Sequence, residues 1–215
     1  MRKNFVIKSG KIVLSDPCYE LGTWCQGVID KVKNGVWMAE IVDTIDGGGR
    51  ISRLIAYHID FPTTTDNITD DGELLPFDGG VDSGQFGYFD FDEYRKDESV
   101  IGVKRIADDS QQIICEDEPF YSICCDRTLS NDMWGVIPFG VISSSGYGDG
   151  SYPTYGIKNS DGEYVGFTTI FIDYDEDFED EDEEETYMRS EDIDDYPEGI
   201  DVEDPTSEAP LPDEN

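Results

Sequence analysis

From Asp173 to Asn215 the chain cannot build a core. These 43 residues hold 22 acidic residues and a single basic one, Arg189, for a net charge of −21. Apolar side chains such as Phe178, Tyr187, Met188, Ile193, Tyr196 and Ile200 are thinly scattered among the carboxylates. Mutual repulsion and scarce apolar surface leave such a segment unable to offset the entropy of ordering. The sequence therefore predicts a disordered acidic tail over residues 174–215 and a fold confined to residues 1–173. Residues 1–172 carry 28 acidic and 14 basic residues, so the body is itself acidic and the whole chain reaches −35.

A body of that length is one domain's worth of chain and buries enough surface to fold without staples. No stretch approaches the roughly 18 apolar residues that span a bilayer. The start, Met1-Arg2-Lys3-Asn4-Phe5, lacks the apolar core of a secretion signal. Cys18, Cys25, Cys115, Cys124 and Cys125 are odd in number, and neighbouring Cys124 and Cys125 pair poorly with each other, so reduced thiols are expected. Together these features predict a cytoplasmic protein. The charge argues against direct binding to nucleic acid or anionic membrane, because each phosphate contact needs a cation. It favours a basic protein surface as partner and speeds encounter with one.

Before the tail, short apolar runs alternate with turn residues. Asn4–Lys8 and Lys11–Leu14 flank Ser9-Gly10 like the strands of a hairpin. Cys25, Val28, Ile29 and Val32 fit one short helix within Glu20–Asn34, although Gly22 and Gly27 weaken it. Gly35–Asp43 and Arg50–Phe61 read as strands joined by a turn at Asp46–Gly49. Pro62–Asp71 reads as a polar loop. Gln85–Phe91, Ser99–Ile106, Gln111–Cys115 and Phe120–Cys125 read as further strands, with one helical turn in Phe91–Asp97. Trp134–Ile142 is an apolar run broken by Pro138. Tyr155–Lys158 and Tyr164–Asp173 flank a hairpin loop, Asn159–Glu163. The pattern predicts an all-β or mainly-β body, a sandwich or open barrel of short antiparallel strands with one or two short helices.

Three segments carry a resemblance: Ser15-Asp16-Pro17, Gly80–Asp90 (GVDSGQFGYFD) and Gly146–Tyr155 (GYGDGSYPTY). In this order they resemble domain-of-unknown-function family 4241, a bacterial and phage family, over roughly residues 10–175. The resemblance implies a compact mainly-β intracellular domain and leaves the activity open.

Two function classes compete. In the first the protein is a non-enzymatic interaction protein, a phage-encoded inhibitor of a host or defence protein. Its tail imitates nucleic acid: Glu179, Asp180, Glu181, Asp182, Glu183, Glu184 and Glu185 supply charge, while Phe178, Tyr187 and Tyr196 stack where bases would. In the second, Gly-flanked loops bind a small ligand or divalent metal through Asp16, Asp82, Ser83, Asp149 and Ser151, with or without hydrolysis. Against that stands the ordinary role of Asp and Ser beside Gly, which is to cap tight turns. No catalytic residue is assigned. A dyad of His58, the only histidine, with Cys18 or Cys25 competes with a structural histidine in a strand. No Cys-x-x-Cys pair suggests zinc. No cofactor is expected beyond weak, nonspecific divalent binding along the tail.

Overall fold

The computed structural model describes residues 1–43, 49–105 and 118–173. The expected tail, with Phe178 to Tyr196 in it, lies outside these residues, as do the Gln111–Cys115 segment and most of the Asp46–Gly49 turn.

Eleven strands form two antiparallel sheets. In chain order they are β1 (Lys3–Ile7), β2 (Lys11–Ser15), β3 (Gly27–Asp30), β4 (Gly35–Asp43), β5 (Ile51–His58), β6 (Glu73–Val81), β7 (Gln85–Asp90), β8 (Trp134–Ile137), β9 (Gly140–Ser144), β10 (Gly150–Lys158) and β11 (Tyr164–Ile170). One sheet runs β1-β4-β5-β11-β10-β6 and the other β3-β2-β7-β9-β8. They face each other across a core that includes Phe5, Ile12, Leu14, Trp37, Leu54, Phe86, Tyr88, Trp134 and Phe167. The mainly-β expectation holds, as a sandwich. Tyr88 ties the layers together from within, its hydroxyl donating to Leu54 O at 2.9 Å and lying 2.7 Å from Thr169 Oγ1. A buried hydroxyl left without such partners would cost about 1–3 kcal/mol.

Each outer face is covered by a helix. Strand β7 is buried on both sides because Phe89 points outward and packs with Tyr94, Val100, Phe120, Ile123 and Cys124. Helix α2 (Pro119–Thr128) supplies the last three. On the opposite side α1 (Thr65–Asp71) lowers Ile68 between Ile55 and Tyr57.

Several local expectations are overturned. β1 and β2 are not a hairpin: β1 pairs with β4, and β2 with β3 and β7, in different sheets. Ser9-Gly10 is a corner that carries the chain between layers, with Gly10 at φ +72° and its N–H given to Asn34 Oδ1. Phe120–Cys125 is helical. Phe120, Ile123 and Cys124 satisfy the i, i+3, i+4 spacing of one helix face, and Pro119 at the first helical position favours the helix. The expected helix in Glu20–Asn34 is instead a run of turns followed by β3. Pro62–Asp71 contains α1, capped by Thr64, whose hydroxyl accepts from Asn67 N. Ser99 and Val100 belong to a 3₁₀ turn over Asp97–Val100, not to a strand. β6 was not anticipated, since Pro76 and two glycines obscure its pattern. Among the described residues no helix is long and apolar enough to cross a membrane.

Candidate functional site

One end of the sandwich is made of three loops: residues 16–26 between β2 and β3, 82–84 between β6 and β7, and 145–149 between β9 and β10. They are joined to one another by backbone and side-chain hydrogen bonds. Asp16, fully buried, is the bracket. Its Oδ1 accepts from Cys18 N at 2.9 Å and Ser83 Oγ at 2.6 Å. Its Oδ2 accepts from Asp82 N at 3.0 Å and Ser83 N at 2.7 Å. Cys25 O accepts from Gly80 N, and Gly84 O accepts from Ser145 N at 3.1 Å. A Cβ on Gly84 would lie 4.0 Å from Gly148 Cα.

Three further side chains hold the first loop. Gln26 makes four bonds: its Oε1 accepts from Gly22 N and Thr23 N, and its Nε2 donates to Ser15 Oγ and Tyr94 Oη. Tyr94 Oη donates to Tyr19 O at 2.7 Å. Arg95 Nη1 donates to Pro17 O and Cys18 O at 2.7 and 3.0 Å. None of these anchors was singled out from the sequence, because residues distant in the chain (Tyr94 and Arg95 against residues 15–26) carry no local signal of their meeting.

The candidate loop residues are thus brought to one place. Asp16, Asp82 and Ser83 adjoin directly. Ser151 pairs across the ladder with Gly80, and Asp149 stands beside it, both exposed. The four donors on Asp16 take up the acceptor directions a carboxylate offers. Asp16 in this arrangement organises a turn, as short polar residues beside glycine commonly do. Among the described residues no group of three or more His, Cys, Asp and Glu side chains is placed to hold a metal ion.

The thiol and phenols around the bracket are held in their protonated forms. Burial, then the hydrogen bond to Asp16, then the nearby Asp16 and Asp82 charges push the Cys18 thiol up to about 12. A thiol in that state is a poor nucleophile, since the thiolate is the reactive form. Burial and then a hydrogen bond to the Asp82 carboxylate raise the Tyr19 phenol. Burial likewise raises Tyr121 to about 12, opposed by its bond to Ser83. His58 is engaged elsewhere: Nε2 lies 3.1 Å from Asn34 O, and Nδ1 accepts from Asp60 N at 3.2 Å. Those contacts assign the proton to Nε2. The ring stands edge-on to Trp37, so the histidine serves its own sheet and not a cysteine. A cavity of about 440 Å³ bounded by Met1, Ile41, Asp43 and Trp134 shares no residue with the loop end.

Fold and site together define a two-sheet sandwich, covered by a helix on each outer face, with one end built as a rigid three-loop platform. The chain belongs to the family described as protein of unknown function (DUF4241), whose sequence profile matches residues 5–169. No curated protein and no solved structure matches it. The three segments that carried the resemblance are the segments that meet at the loop end.

Proposed function

We propose that the protein works by binding a basic protein surface, with the acidic segment 174–215 as its main contact. What supports this reading is where the body's own cations already are. Of the 14 lysines and arginines in residues 1–172, nine are ion-paired among the described residues of the body: Arg2, Lys3, Lys8, Lys11, Lys33, Arg53, Arg95, Arg105 and Lys158. A tenth, Arg127, is buried and donates to the carbonyls of Val136 and Lys104. Little of the countercharge for a −21 segment is therefore left on the body.

Closely spaced carboxylates approximate the charge density of duplex nucleic acid, about one phosphate per 1.7 Å of axis. The partner in this reading is a nucleic-acid-binding protein of a host or defence system, and the protein acts as its phage-encoded inhibitor in the cytoplasm. Glu179 to Glu185 occupy the basic groove, and Phe178, Tyr187 and Tyr196 stack within it. Affinity purification from host cells tests this, using the full chain and a chain ended at Asp173 at low and high salt. The full chain should retain a basic protein at low salt and release it at high salt, and the shortened chain should retain none. Equal capture by both chains contradicts the reading.

A further inference from the structure

We infer that the three-loop end is a second contact surface, which seats an arginine- or lysine-bearing segment of a protein partner over Trp24. This rests on the reading that the partner is basic, and it adds a defined site on the folded body.

The first observation is exposure. Trp24 is 88% exposed, Leu21 47% and Tyr147 70%. Trp24 and Leu21 project from the first loop and Tyr147 from the third. The backbone hydrogen bonds through Gly80 and Gly84 place both loops against the second. Large aromatic side chains are the usual anchors of protein contacts, and exposed apolar side chains grouped on adjoining loops mark interaction sites.

The second observation is rigidity. Asp16, Gln26, Tyr94 and Arg95 commit buried or half-buried polar groups to fixing the backbone from Pro17 to Thr23, the segment that leads into Trp24. A loop held this way loses little entropy on binding, and that is what turns an exposed side chain into an effective anchor.

The third observation is charge. Asp82 and Asp149 lie exposed on the same loops, and among the described residues no lysine or arginine pairs with either. Glu20 is held by Arg95 at 3.1 Å, yet its side chain remains 82% exposed. Indole faces attract guanidinium and ammonium groups, and flanking carboxylates strengthen that attraction. The surface already shows the preference within the molecule, because the Arg50 guanidinium lies 4.7 Å from the centre of the Tyr147 ring. Trp24 has no such intramolecular cation among the described ring contacts.

The three tryptophans provide the test. Trp37 and Trp134 are buried, so Trp24 alone responds to a surface ligand. A fluorescently labelled peptide of alternating arginine and leucine is titrated into the full chain, with a glutamine–leucine peptide as control. Label anisotropy reports total binding. Trp24 emission and its quenching by acrylamide report the loop end. The arginine peptide should shift Trp24 emission to the blue and protect it from acrylamide. Asp82→Asn with Asp149→Asn should weaken that Trp24-reported affinity about fivefold, as expected for two exposed charges. Both changes keep size and polarity, and an unchanged melting temperature shows that the fold survives. If anisotropy rises while Trp24 is unaffected, the tail alone binds and the loop-end surface is overturned. Equal protection by the glutamine peptide also overturns it, as an apolar site without charge preference. No binding by either readout overturns this surface and the tail reading together.

Discussion

Two buried aspartates do the same job at opposite ends of the sandwich, with different results. Asp16 brackets the three-loop end. Asp90, equally buried at the far end of β7, accepts from Lys8 N at 2.6 Å, Ser9 N at 2.8 Å and Asp92 N at 3.0 Å. It thereby holds the corner that carries the chain from β1 to β2. Around Asp90 the charges close on themselves. Lys8 pairs with Glu93 at 2.6 Å and lies over Phe139, and Lys11 pairs with Asp30 at 2.7 Å and lies over Phe91. Around Asp16 the loops instead present a bare indole and exposed carboxylates. The bracket is therefore a structural device common to both ends. In the reading proposed above, what distinguishes the Asp16 end is what its bracketed loops leave uncovered.

The largest effects should come from removing the brackets. Asp16→Ala strands two neighbouring backbone amides, a third from Cys18 and the Ser83 hydroxyl, and should cost on the order of 4 kcal/mol in chemical denaturation. Asp90→Ala strands three amides nearer to solvent and should cost about 3 kcal/mol. If either change costs less than about 1 kcal/mol, that carboxylate is not the bracket described.

Next in size is the response to pH, which should come from different ends on the two sides of neutrality. The folded Cys18 thiol is raised from 9.0 to about 12 by burial and Asp16. Its contribution is fully present below pH 9 and is lost as the unfolded chain ionises between pH 9 and about 12. Tyr19 and Tyr121 at the same end act in the same direction. Cys18→Ser should therefore flatten part of the alkaline fall in stability. Glu93, at the Asp90 end, is lowered below 4.5 first by its hydrogen bond to Lys8 and then by Ser99. Its contribution is present above pH 4.5 and is lost as pH falls through the depressed value. Glu93→Gln should flatten the acid side and leave the alkaline side unchanged. Melting curves from pH 3 to 11 separate the two, and identical effects of the two substitutions would break the comparison.

The smallest effect on stability should be that of Trp24→Ala, within about 0.5 kcal/mol because the ring packs on little. If it costs more than about 1.5 kcal/mol, the indole is a packing element and not a presented anchor.

The sheets were legible where a strand is read by alternation or by a continuous apolar run, as in Gly35–Asp43, Gln85–Asp90 and Tyr164–Ile170. They were illegible where one side chain decides the element. Ile68 alone makes α1 worth forming, and a polar run with one buried isoleucine reads as loop. Ser9-Gly10 has the composition of a hairpin turn, but Asp90, some 80 residues away in sequence, bends it into a corner. The loop end was half legible. Asp16, Asp82, Ser83, Asp149 and Ser151 announce turns, and they do meet. Their anchoring by Gln26, Tyr94 and Arg95 depends on long-range contacts that no spacing rule encodes. Trp24 has Leu21 and Val28 at helical spacing, so its spacing suggests a packed stripe, yet all three side chains are exposed because the segment folds as turns and an edge strand.

Hydrogen exchange on the full chain, with and without the partner captured at low salt, tests the central claim most directly. Partner binding should slow exchange in the loops 18–26, 82–84 and 145–149 and leave the Lys8–Lys11 corner unchanged. Slowed exchange at the Asp90 corner, or none anywhere in residues 1–173, would contradict the account.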